Sequence, residues 1–169
     1  MENPPLCRSG RKESEMKRWL GYLLVIAVAA ALGSKGSGTD VGKLCPVQVL
    51  AVKGQGSVIT LQTDTGEQGT GRTVSQAVEA MQRTASGEIF LDTVDYLLLS
   101  EGAEKWLPEL KDHLRPSCRL YHTYGKPDME TAGTYLEQHP SQVTLRLWLA
   151  GEWNLPKLII REGRMELEP

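Results

Sequence analysis

Phenylalanine occurs once in this chain, histidine and cysteine three times each, and basic residues do not outnumber acidic ones. Each shortage removes a class of function. Cys7, Cys45 and Cys118 show no Cys-x-x-Cys spacing, so neither a zinc ribbon nor a redox pair is expected. His113, His122 and His139 stand far apart without ligand spacing, and no metal site is expected from them. A balance of 19 Lys and Arg against 21 Asp and Glu gives a formal charge of −2 and no electrostatic case for binding nucleic acid. No apolar run reaches the ~20 residues of a comfortable membrane span.

What is present is the material of one domain. A length of 169 residues suffices for a single core, and apolar content of 40% with 24% charged residues is that of an ordinary globular protein. Four Trp and five Tyr supply bulk where Phe does not. Met16-Lys17-Arg18 precedes an uncharged stretch from Trp19 to Ser34, rich in Leu and Val and ending in small residues. A cationic head, a short apolar centre and small residues after it read as an export signal, either cleaved or retained as an anchor. Positive charge ahead of the apolar run keeps that end inside, so the remainder would face outward. Residues 1–15 are then a polar tail, or lie upstream of a true start at Met16. Segment 16–34 is the signal or anchor, and 35–46, glycine- and serine-rich at its start, is a flexible tether.

The remainder alternates between strand and helix patterns. Val47–Val52 and Val58–Thr63 read as strands joined by a hairpin connection over Lys53–Gly56. Thr65–Gly71 reads as a loop. Thr73 with Gln76 three residues later forms a capping box, and Val74, Ala77, Val78, Met81 and Ala85 follow at helical spacing, with Gly87 as the stop. Val94–Leu99 is continuously apolar, which suits a central strand covered on both faces. Ala103, Trp106, Leu107, Leu110 and Leu114 form a second helical pattern, restarted or kinked at Pro108. Arg119–Tyr124 is a further strand, and Asp128 caps a helix that ends before Pro140. Val143, Leu145, Leu147 and Leu149 alternate with Thr144, Arg146, Trp148 and Ala150 and predict a half-buried strand. Leu158–Leu167 predicts a hairpin turning at Glu162-Gly163. The pattern defines an α/β (mixed α+β) domain over 47–150, a mixed sheet with about three helices, followed at 151–169 by a hairpin or the stub of a second domain.

Several motifs compete for a chemical role. Gly66-Glu67-Gln68-Gly69-Thr70-Gly71-Arg72-Thr73 imitates a phosphate-binding loop, with Arg72 in place of the usual Lys. Thr73 already has a structural task as a helix cap, so a nucleotide site at Gly66–Thr73 is the weaker alternative. Gly54-Gln55-Gly56 has no third glycine or following helix and reads as a turn. Ser37 lies in the tether, away from any strand-to-helix elbow. Asp92, Asp95, Glu101 and Glu104 gather acid around one strand, without a partner base or nucleophile. Trp148 and Trp153 read either as exposed anchors for a partner or as core under the hairpin. Cys45 and Cys118 either pair in an exported chain or stay separate thiols. No residue is therefore assigned a catalytic, cofactor-binding or metal-ligating role.

Four passages carry a resemblance. Gly71-Arg72-Thr73-Val74-Ser75-Gln76-Ala77-Val78 is similar to a "G-x-T-h-x-E-A-h" helix start, where h is apolar. Asp95–Gly102 is similar to an apolar strand closing on a Ser-Glu-Gly turn. Leu114-Arg115-Pro116 with Arg119-Leu120, and Leu136–Pro140, follow in the same order. Together they resemble the N-terminal domain of the Ger(x)C family, the lipoprotein subunit of nutrient germinant receptors in endospore-forming bacteria. The likeness covers about Val47 to Leu149. It implies a sporulation or spore-germination context, a membrane setting, and docking onto membrane receptor subunits as protein partners, with no catalytic residues and no cofactor. This chain departs from the family in lacking two further domains and in placing Ser34 after Ala31-Leu32-Gly33, where the family has a lipidated cysteine; a hydroxyl cannot form that thioether.

Overall fold

The computed structural model describes residues 44–152, 154–161 and 163–168. The polar tail, the signal or anchor, Cys7 and most of the tether lie outside that range, as does Trp153. Among the described residues no helix is long and apolar enough to cross a membrane.

A seven-stranded sheet organises the domain. In spatial order it runs β4 (Gln68–Gly71), β3 (Val58–Thr63), β2 (Val49–Gln55), β6 (Tyr96–Leu99), β7 (Arg119–Tyr124), β8 (Lys157–Arg161) and β9 (Arg164–Glu168). The four inner strands β2, β6, β7 and β8 are parallel, and an antiparallel hairpin finishes each side. A separate parallel pair joins β1 (Leu44–Pro46) to β5 (Glu88–Phe90). Parallel neighbours need crossovers, and helices supply them. The helices are α1 (Val74–Thr84), α2 (Leu107–Leu110), α3 (Met129–Gln138) and α4 (Leu145–Leu149).

Period-two side-chain alternation divides the inner strands between two cores. Leu50 and Val52, Leu97 and Leu99, and Leu120 face the larger core under α1, α2 and α4. Val49 and Ala51, Tyr96 and Leu98, Tyr121 and Leu158 face the smaller one, where α3 contributes Met129, Ala132 and Leu136. All four residues of β6 are buried, as its unbroken apolar run predicts. The fold class is thus the expected one: a mixed sheet with helices on both faces.

The helix ends follow local chemistry. Thr73 accepts a hydrogen bond from Gln76 N–H at 3.2 Å, and Gln76 Oε1 accepts from Arg72 N–H at 3.0 Å, completing the capping box. Pro108 stands in the first turn of α2, after a 3-10 turn over Glu104–Trp106, so the second helical pattern is a restart. Asp128 caps α3 through Glu130 N–H. α1 ends at Thr84, three residues before Gly87, because the Gln82 side chain takes over the chain path there: its amide donates to Gly87 O and its Oε1 accepts from Ile89 N–H.

Four expectations are corrected. Residues 143–150 do not form a strand: Thr144 bridges Arg119 in strand fashion, then caps α4. β7 has one free edge, and β8 takes it at His122–Tyr124, so a strand through 150 has no partner to pair with. The Leu145–Trp148 spacing then serves a short helix, with Leu145 buried, Trp148 packed on the larger core and Leu149 exposed. Thr65–Gly71 is a loop only in its first half; Gln68–Gly71 is β4. The tether's last three residues form β1. Finally, the C-terminal hairpin does not follow the domain of 47–150 but belongs to it, as the outer pair of the same sheet.

Candidate functional site

A parallel sheet offers its ligand crevice beyond the carboxyl ends of its strands, where adjacent crossovers leave toward opposite faces. Here that point lies between β6 and β7, since α2 follows β6 on one face and α3 follows β7 on the other. The chain fills it with its own groups. Glu104, in the 3-10 turn after β6, places Oε1 on Nε2 of His122 in β7. The two residues are 18 apart in sequence, and the acidic grouping and the scattered histidines gave no sign that they meet. The His122 ring stacks on Tyr124 at 6.0 Å, and its Nδ1 is buried without a hydrogen-bond partner among the described residues. Lys157 lies opposite His122 on β8, and Lys105 ties the same turn to the β2–β3 hairpin through Gly56 O. A carboxylate–imidazole pair can hold or pass a proton. Among the described residues no hydroxyl or thiol is hydrogen-bonded to His122, so no nucleophile completes the pair.

The remaining acids do not converge on it. Asp95 sits at the opposite, amino end of β6, paired with Arg115, which also donates to Val94 O and Thr93 O. Asp92 and Glu101 are exposed on turns. His113 is half-buried after α2, and His139 stacks on Tyr135 at 4.4 Å at the end of α3. Among the described residues no group of three potential ligands could hold a metal ion. Cys45 and Cys118 are both free; burial pushes the Cys118 thiol up to about 12.

The phosphate-loop imitation resolves into packing. Gly69 and Gly71 lie in β4 directly beneath α1: a Cβ on Gly69 would stand 2.6 Å from Met81 N, and one on Gly71 2.6 Å from Ala77 N. The helix start that would hold a phosphate already holds a carboxylate, since Val74 N–H donates to Glu109 Oε2 at 3.1 Å. Gly54 and Gln55 end β2, and Gly56, at φ 60°, opens the tight turn to β3.

At the amino ends of β2, β6 and β7 lies a polar cleft of about 300 Å3, lined by Gln48, Asp95, Tyr96, Ser117, Arg119 and Glu137. No motif marked it in the sequence, because its residues come from three strand ends and α3. Tyr96 is 5% exposed. Burial pushes its phenol above the usual tyrosine value, with Asp95 and Glu137 adding to the rise and Arg119 opposing it.

These features define a two-faced, mixed-sheet α+β domain with a self-filled carboxyl-end crevice and an open amino-end cleft. No protein-family model, curated protein or solved structure matches the chain.

Proposed function

We propose that this chain is an exported or membrane-tethered interaction domain, a component or accessory of a spore germination receptor, that docks onto membrane receptor subunits and performs no chemistry of its own. The observation that supports this reading joins two of the four family-like passages. Arg115, from Leu114-Arg115-Pro116, pairs with Asp95, which begins Asp95–Gly102, and also donates to the carbonyls of Val94 and Thr93. Passages alike by chance have no reason to meet through their own motif residues. The other two fall on the α1 cap and on the end of α3, so each passage occupies a defined place around the sheet. The nucleotide alternative loses support because Glu109 occupies the helix start it needs.

Affinity capture from spore membranes with the tagged full chain tests the reading. Recovery of receptor membrane subunits is the expected result. Capture without any such subunit, or a producing organism that forms no spores, overturns it.

A further inference from the structure

We propose that β9 pairs with β9 of a second copy of this chain, antiparallel across a two-fold axis at Met165, so that two sheets join into one. β9 is the outermost strand, and among the described residues nothing pairs with its outer backbone groups. A bare edge of that kind is a template for another strand. Over Arg164–Glu168 it has no Pro, no Lys and no break in its register with β8, the usual devices that blunt an edge. The opposite edge, β4, is short, carries Gly69 and Gly71, and lies beneath α1, so it offers a second sheet few side chains to pack against.

Charge selects both the occupant and the register. Arg164 lies directly opposite Arg161 on β8, and among the described residues neither has an ion-pair partner. Like charges set opposite each other on adjacent strands repel, so this position calls for a carboxylate from outside the hairpin. β9 itself carries one: Glu166 is exposed on the same face, lies opposite Ile159, and has no ion-pair partner among the described residues. In a symmetric antiparallel pair, opposed residues share a face, so the axis passes through a residue. An axis through Met165 sets Arg164 of each copy against Glu166 of the other, twice over. Through Arg164, two arginines meet; through Glu166, two carboxylates meet; through Leu167, Glu166 faces Glu168. Within Arg164–Glu168, only the Met165 axis opposes unlike charges without a like pair. The other face suits the same register. Met165 and Leu167 are half-buried against the smaller core, and Met165 lines a groove of about 560 Å3 with Glu130, Thr131, Thr134, Tyr135 and Gln138 of α3. Met165 meeting its counterpart on the axis joins the two grooves and takes apolar surface out of water.

Self-association needs no receptor subunit, so this proposal and receptor docking stand or fall separately. The test is sedimentation of the full chain in detergent micelles, from about 1 to about 500 μM. Two short strands make a small interface, and a monomer–dimer equilibrium with Kd on the order of 10–100 μM is expected. Amide exchange at Met165 and Leu167 should slow as concentration rises. Arg164→Glu and Glu166→Arg each turn both attractive pairs into repulsive ones and should weaken dimerisation about tenfold or more. The double variant restores the pairs in reverse and should dimerise like the wild type. An equimolar mixture of the two single variants should do so as well, as a hetero-pair. Both side chains are exposed, and thermal melts of the variants establish that the fold is kept. A chain that stays monomeric throughout overturns the proposal and leaves the edge to a strand of another protein. Dimerisation indifferent to both single substitutions, as association through residues 19–34 would be, also overturns it, as does a double variant that fails to restore the dimer.

Discussion

Cys118 shows how far one buried atom reaches into the properties of the whole chain. Its thiol is enclosed where the chain enters β7, and burial holds its pKa at about 12 against a usual value near 9. A folded-state pKa raised above the unfolded value means that the unfolded chain loses its proton first as pH rises. Stability contributed by the neutral thiol is therefore complete below pH 9 and declines between pH 9 and 12, by roughly 1.4 kcal/mol per pH unit at most. Tyr96 and Tyr121, both raised by burial, steepen the decline. Urea unfolding of the full chain at intervals from pH 8 to 10.5 should show falling stability above pH 9, and Cys118→Ala should have the shallower slope even if its absolute stability is lower. Parallel slopes for the two proteins would remove Cys118 as a cause. The sequence displayed this cysteine as half of a conceivable disulfide; only burial makes it a titrating element of the fold.

Among the elements, the contact of α1 with β4 depends most sharply on sequence. Gly69 and Gly71 let a helix lie on a strand with no side chain between them, and Val74, Ala77 and Met81 fill the interface from the helix side. Gly69→Ala places a methyl group against the backbone of Ala77 and Met81, which cannot rotate away. We expect a loss of about 3 kcal/mol or more, from strain and from lifting α1 off the larger core. Gly66→Ala is the control: its Cβ meets open space, but at φ 97° the alanine costs about 1–2 kcal/mol from backbone conformation alone. Denaturation midpoints of the two variants decide the matter, and similar losses would mean that α1 adjusts. The same glycines account for the misleading phosphate-loop pattern, because close helix–strand approach and a phosphate cradle both call for residues without Cβ. α1 itself was legible, since its cap and stripe are local. α4 was not: Leu145, Leu147 and Leu149 satisfy a strand's alternation, and the reason they form a helix lies in β8, which already occupies the edge of β7.

For the molecule as a whole, the sheet is the one structure that both cores share. The β2–β3 and β8–β9 hairpins, the central strand and the class of fold could be read from periodicity, whereas β4, short and rich in glycine, was read as loop. The Glu104–His122 pair and the amino-end cleft could not, because parallel pairing unites residues that are 18 to about 90 positions apart. That non-local construction has a thermodynamic consequence at β6. Leu97 points into the larger core and Leu98 into the smaller one, and both are fully buried. If the sheet couples the cores, truncating either residue must destabilise both. Leu97→Ala and Leu98→Ala are each expected to cost about 2–5 kcal/mol. In both variants the fluorescence transition of Trp106 and Trp148, which pack on the larger core, should coincide with the far-UV circular dichroism transition of the whole domain. A Leu98→Ala protein that loses helical signal while its tryptophan transition stays at the wild-type midpoint would show two separately folding layers. The pairing of β6 with β2 and β7 through all four of its residues argues against that outcome, since the strand cannot leave one core without leaving the other.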